Sequence, residues 1–182
     1  GLLRFEGDHL TPLIALDSAR FPENASTGSY GQGNVIYLST FSKTLAPGLR
    51  TAWAVCPPEI TKQFVMAKQG ADLHSNALAQ TIAYEFMRRG WLPDQIQRIR
   101  DTYLERRNAM YEAIERYFPK EIKHTHPQGG LFLWLTLPTE IDTSALLKEA
   151  SRYQVAFVPG SPFFVDGSGR NTLRLSFASM PP

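Results

Sequence analysis

The sequence predicts an α/β chain in two parts. Three observations carry this. Short apolar runs bounded by turn residues are interleaved with helical segments in the first half; one long amphipathic helix crosses the middle; and a strand, a helix and two strands follow as a small α+β unit. A chain of 182 residues has room for one large domain or two small ones. The boundary is placed inside the long helix, near Tyr103, giving residues 1–102 and 103–182.

Residues 1 to about 33 read as loop, with a short helix near residues 11–16 and a flexible turn at Gly28–Gly33. Those glycines precede a strand and no helix opens after them, so the dinucleotide-binding pattern of strand, glycines, helix is not met. Val35–Leu38 reads as a buried strand and Thr51–Val55 as a second, ended by Pro57-Pro58. Glu59–Lys68 reads as a helix, with Pro58 in its first turn and Glu59 near the positive end of its dipole. Another helix starts near Asn76, with Leu78, Ile82, Glu85, Phe86 and Arg89 along its inward edge, and stops at Gly90.

Pro93 opens the clearest helix, which runs to about Phe118. Ile96, Ile99, Tyr103, Met110, Ile114 and Tyr117 recur at helical spacing and define its apolar stripe. Arg98, Asp101, Glu105, Arg106, Glu112 and Arg116 populate the other faces, and their mixed signs mark a solvated surface, not a nucleic-acid-binding one. Pro119 ends the helix. Leu131–Leu135 is a dense apolar strand behind Gly129-Gly130. Thr143–Tyr153 reads as a helix capped by Asp142 or Thr143, with Leu146, Leu147 and Ala150 inward. Val155–Val158 and Thr172–Phe177 read as strands, the second placing Leu173, Leu175 and Phe177 on one face.

Composition excludes several classes. A net charge of +2 is too small to point to nucleic acid or a membrane surface. No apolar stretch reaches the roughly 18 residues of a membrane span, and Gly1–Glu6 has no signal-peptide pattern. The single cysteine, Cys56, cannot form an intrachain disulfide, which suits a cytoplasmic location. It follows the apolar run Ala52–Val55 and reads as a buried structural thiol. Asn24-Ala25-Ser26 matches a glycosylation sequon but reads as a plain loop. His9, His74, His124 and His126 lack metal-ligand spacing, so no metal site is expected; His124 and His126 alternate along an extended segment and read as solvent-facing. No Ser/His/Asp set accompanies Ser42.

The chemistry is concentrated in the run Ser39-Thr40-Phe41-Ser42-Lys43-Thr44-Leu45-Ala46-Pro47-Gly48-Leu49-Arg50. A lysine amine forms a Schiff base with an aldehyde. Thr40, Ser42 and Arg50 are suited to hydrogen-bond and neutralise a phosphate. One small molecule carrying both groups is pyridoxal 5′-phosphate, PLP. A second feature is Arg174, alone in the apolar strand Asn171-Thr172-Leu173-Arg174-Leu175-Ser176-Phe177. A cation there needs a partner or a ligand, unless it sits on the surface of an edge strand.

The first run resembles the cofactor-lysine motif of the class I/II aminotransferases, in the form found in the 2-aminoadipate and kynurenine/aromatic branch. Thr40 stands where that branch more often has serine, and the hydroxyl is kept. The resemblance extends over essentially the whole chain but covers only the C-terminal part of such an enzyme. It implies an α/β, PLP-dependent transferase-like fold (fold type I): the C-terminal part of the PLP-binding large domain, then most of the small α+β domain. It further implies Lys43 as the catalytic, cofactor-bearing lysine, Thr40, Ser42 and Arg50 as cofactor-binding residues, and Arg174 as the residue that grips the substrate carboxylate. The reaction implied is transfer of an amino group between an amino acid and a 2-oxo acid by a ping-pong Schiff-base mechanism in a cytoplasmic homodimer.

In that family the aspartate and tyrosine that contact the cofactor ring, and the glycine-rich phosphate loop, lie upstream, so these 182 residues by themselves are expected to be inactive. Pro127–Trp134 and Val158–Phe164 resemble segments near the substrate and the mouth of the site, and read equally as tight turns feeding core strands. Asp72–Asn76 resembles a stretch that approaches the partner subunit, although His74 also reads as a helix-start residue. The alternative is the PLP-sensing, aminotransferase-like domain of a winged-helix (GntR/MocR-type) transcription regulator. Those often carry Phe-Pro-Ala-Leu-Arg where this chain has Ala46-Pro47-Gly48-Leu49-Arg50, which favours the enzyme.

Overall fold

The computed structural model describes residues 3–20 and 33–179. The Asn24–Ser26 loop and most of the Gly28–Gly33 turn lie outside them. The chain forms two compact units, one of residues 1–3 and 8–99, the other of residues 4–7 and 100–182.

In the first unit a short helix, α1 (Leu13–Ser18), precedes a two-stranded antiparallel sheet of β1 (Tyr37–Thr40) and β2 (Ala52–Val55). Tyr37 pairs with Val55 and Thr40 with Ala52. Asp17 ties α1 to the approach to β1: its carboxylate accepts from the backbone of Asn34 at 2.7 Å and Val35 at 3.1 Å. Then come α2 (Pro58–Ala71), α3 (Ala77–Arg88) and the start of α4 (Leu92–Tyr117). Asn76 caps α3, its Oδ1 accepting from the Ala79 amide at 3.0 Å.

Three expectations fail here. The Val35–Leu38 run is not a buried strand: β1 begins at Tyr37, and Leu38 is 69% exposed because β1 pairs with β2 alone among the described residues. On α3 the buried positions are Ala79 and Ala83, while Leu78 and Ile82 are exposed. Small residues let α3 approach closely, so the tight face is the alanine face. Cys56 is half-buried instead of buried, its Sγ 3.3 Å from the Thr61 hydroxyl.

The second unit holds the contiguous core. Its antiparallel sheet has the order β3 (Lys123–His124), β4 (Phe132–Thr136), β6 (Thr172–Ser176), β5 (Val158–Pro159). α5 (Thr143–Arg152) is capped by Asp142, whose carboxyl is held below its usual range by the Ser144 and Ala145 amides and by Arg170. Leu133, Leu135 and Leu137 from one face of the β4 segment join Leu173, Phe177, Tyr111 and Ile114 in one cluster. Alternation along β4 and β6 therefore sends Phe132, Trp134 and Arg174 to the opposite face.

The long helix keeps its expected span and, Tyr117 apart, its expected stripe. Ile114 is buried and Tyr103 and Met110 pack on the core, whereas Tyr117 is 71% exposed. The most enclosed residue of this helix is Arg107, 2% exposed. Its guanidinium donates to both Glu6 carboxylate oxygens, one at 2.8 Å, and to the Pro127 carbonyl at 2.8 Å. Arg107 thereby holds the Glu6 carboxyl below its ordinary range. The expected strand Val155–Val158 shrinks to Val158–Pro159, because a turn with Gln154 at φ 60° follows α5. His124 is not solvent-facing. It is half-buried, 3.0 Å from Glu115, with its ring against Tyr111, on which His126 also stacks. Among the described residues no helix is long and apolar enough to cross a membrane, and no cluster has metal-binding composition.

Candidate active site

Lys43 lies where β1 breaks into a 3-10 turn, Phe41–Lys43, followed by a second, Pro47–Leu49. Thr40 makes the break. Its Oγ1 accepts from the Ser42 amide at 3.1 Å, lies 3.0 Å from Ser42 Oγ, and donates to the Thr51 carbonyl at 3.1 Å. The Phe41 amide bonds the same carbonyl, at 3.1 Å. These bonds close the base of the loop, and the Phe41 ring, buried and 4.6 Å from Trp53, anchors it from below. An apolar cleft of about 460 Å³ lies behind it, lined by Phe41, Trp53, Ala83, Tyr84 and Met87 among others.

The anchoring leaves Lys43 and Arg50 exposed. Arg50 takes the left-handed conformation, φ 50°, and its Nη1 donates to the Pro47 carbonyl at 3.2 Å. Backbone of that kind in a non-glycine residue persists only where its surroundings impose it. Gly48, by contrast, has no positive φ and open space around its α-carbon, so Gly48 is not there to permit the turn. Residues 33–52 contain no Asp or Glu, and among the described residues neither Lys43 nor Arg50 meets a carboxylate. The turn therefore presents two cations and two hydroxyls that touch each other. One Thr40 proton serves two acceptors, so the pair keeps hydrogen-bonding capacity for an anion.

Thr40, Ser42, Lys43 and Arg50 are thus gathered on one loop of the first unit. Thr51 was not singled out from the sequence, though it closes the loop with its carbonyl and its hydroxyl donates to Leu49 O at 3.1 Å. Its position one residue past Arg50 was the available signal. His74 is exposed, two residues before the α3 cap, with Nδ1 3.2 Å from the Ser75 carbonyl.

Arg174 stands in the second unit, on the interior strand β6, opposite Trp134 of β4 and Val158 of β5. It is not on an edge strand. Its guanidinium carbon lies 4.0 Å from the centroid of the Phe132 ring and 5.0 Å from that of Phe163. Among the described residues it has no carboxylate partner and no side-chain hydrogen bond. A half-buried cation without a counter-charge can accept a ligand that brings one. Val158–Phe164 feeds this place: Gly160 passes so close to Thr172 that a Cβ would clash with its hydroxyl, and the 3-10 turn Ser161–Phe163 then brings Phe163 over Arg174.

Known proteins resemble this chain in sequence and in fold. A 2-aminoadipate transaminase of Thermus thermophilus is 47% identical over 150 residues, 82% of this chain and 38% of its own length. The crystal structure of LysN, an alpha-aminoadipate aminotransferase from the same species complexed with N-(5′-phosphopyridoxyl)-L-leucine, superposes with a TM-score of 0.87 at 42% identity, over 99% of this chain and 43% of that one. The HTH-type transcriptional regulator YisV of Bacillus subtilis is 33% identical over 98% of this chain and 34% of its own length. The chain spans about a third to two fifths of the length of these curated relatives. The family model for aminotransferase class I and II matches residues 16–182. With the acid-free lysine turn, the small antiparallel domain and the fold-type I neighbours, this match establishes that the chain belongs to the class I and II aminotransferase family.

Proposed function

We infer that the chain is the C-terminal part of a PLP-dependent aminotransferase that moves an amino group between an amino acid and a 2-oxo acid. The observation that carries this is the loop around Lys43: a primary amine, two hydroxyls and a guanidinium, with no acid among them. That donor set fits a phosphate and an aldehyde on one ligand. PLP, when bound, supplies an electron sink for the carbon bearing the amino group. Lys43 Nζ is the amine that would hold the PLP aldehyde, and the same amine would move the proton at the substrate α-carbon. Thr40 Oγ1, Ser42 Oγ and the Arg50 guanidinium bind the phosphate; they are fixed by the turn, so little ordering remains to be done on binding. Arg174 orients the substrate by its carboxylate, using the paired N–H edges of its guanidinium. Amino donor and acceptor then take turns at one site, which makes the kinetics ping-pong, and the protein works as a homodimer.

Borohydride trapping tests the first assignment. The intact protein is incubated with PLP, reduced, digested and mapped by peptide mass. Added mass concentrated on the peptide carrying Lys43 is expected; mass scattered over many lysines overturns it.

The similarity to YisV supports a second reading, a PLP-sensing domain of a winged-helix regulator. Gly48 favours the enzyme, because the regulators often carry alanine there. Sustained conversion of a 2-oxo acid by the intact protein separates the two: a regulator binds PLP without turnover.

A further inference from the structure

We propose that Phe132 and Phe163 are positioning residues for Arg174, holding its guanidinium flat and uncompensated so that a carboxylate meets preformed donors. This rests on the reading of Arg174 as the carboxylate anchor.

A guanidinium in mid-sheet needs something to fix it. The usual device is an acidic neighbour, but an acid would occupy the same N–H edge that a ligand carboxylate needs and would cancel the charge that attracts it. Here aromatic faces take that place. Phe132 pairs with Ser176 and Trp134 with Arg174, so Phe132 is the diagonal neighbour of Arg174 on one face of the β4–β6 pair, within reach of a long side chain. Its ring lies 4.0 Å from the guanidinium carbon, and the Phe163 ring 5.0 Å from it. Phe163 is itself set by Trp134, ring to ring at 5.4 Å and 83°. Ring faces attract the cation through their quadrupoles and leave the in-plane donors pointing outward. Core filling does not explain the rings: Phe132 is 39% and Phe163 50% exposed, on the face opposite the leucine core.

The test compares 3-phenylpropanoate with 3-phenylpropan-1-ol, the same skeleton without the charge, by calorimetric titration of the intact holoprotein. The readout is the ratio of the two dissociation constants. Wild type prefers the acid. Phe132→Leu is expected to reduce that preference about three- to tenfold, and Phe163→Leu, at the longer distance, about two- to threefold. Phe132→Tyr, which restores a ring face, is expected to keep it within about twofold. Arg174→Gln is expected to abolish it. If Phe132→Leu leaves the preference intact while Arg174→Gln removes it, the positioning role falls and the carboxylate assignment stands. If wild type shows no preference, or Arg174→Gln retains it, the assignment itself falls. A loss shared equally by acid and alcohol reads as lost packing and overturns the proposal.

Discussion

The two units solve opposite problems. In the first, the chemistry-bearing loop is held by backbone and hydroxyl hydrogen bonds, and little of the unit is buried: Ile14, Phe41, Ala79 and Ala83 are its buried hydrophobics among the described residues, and α2 buries none. In the second, seven buried side chains form one cluster beneath the sheet that carries Arg174. Local hydrogen bonds with a single buried ring, Phe41, can shape a loop, because each bond joins residues close in the chain. A cation on an interior strand needs a packed sheet, because only neighbouring strands set its surroundings. The first unit should therefore lose function most readily by changes of chemistry, the second by changes of packing.

The sharpest way to break that contrast is Lys43→Ala in the intact protein. The side chain is exposed, so the fold should be unaffected, while transamination should fall about 10²- to 10⁴-fold as proton transfer at the α-carbon is lost. Steady-state assay with a 2-oxo acceptor checks it, and a near-normal rate would place the chemistry elsewhere. Next comes Leu135→Ala, at a position fully enclosed in the second unit. It should destabilise the 182-residue chain by about 2–5 kcal/mol in urea unfolding. Phe64→Ala, on the exposed face of α2, should change stability by less than about 0.5 kcal/mol. Similar losses at the two sites would refute the division into cored and uncored units.

Glu6→Gln has a smaller effect with a pH signature. Removing the carboxylate leaves Arg107 buried and uncompensated, at about 1–2 kcal/mol; the cost stays below that of a fully buried pair because Glu6 is 38% exposed and screened by water. The hydrogen bond from Arg107 lowers the folded-state pKa of Glu6, so the unfolded chain binds more protons in the acid range. The stabilisation is therefore complete above the ordinary Glu value, about 4.3, and is lost as pH falls below it through the depressed value. Acid titration of the unfolding midpoint should show a shallower decline in Glu6→Gln than in wild type. Asn76→Ala is expected to remove the α3 cap at a cost of about 1 kcal/mol, read as faster amide exchange in the first turn of α3.

The candidate residues were legible because their determinants are local. Thr40, Ser42, Lys43 and Arg50 stand within one short run, and the bonds that shape their loop reach only as far as Thr51. Alternation along Thr172–Ser176 was enough to put Arg174 on the face away from Leu173. Helix α4 was legible from its period, and so was most of its inward stripe, but the burial of Arg107 was not. Arg107 reads in sequence as one more charge in a charged helix. It is buried because Glu6, 101 residues earlier, closes over it.

What the sequence determined by itself, then, was the chemistry on offer and the elements that carry it, since both follow from neighbours within a turn of helix or a few residues of strand. What only the tertiary structure decided was which apolar runs are covered and which cations are left without a counter-charge. β1 is exposed where its composition reads as core, and Arg174 lies against two phenyl rings where an acid was equally compatible with the sequence. Both depend on what another part of the chain places alongside, and burial and charge pairing are set by contacts between distant segments, which local periodicity does not encode.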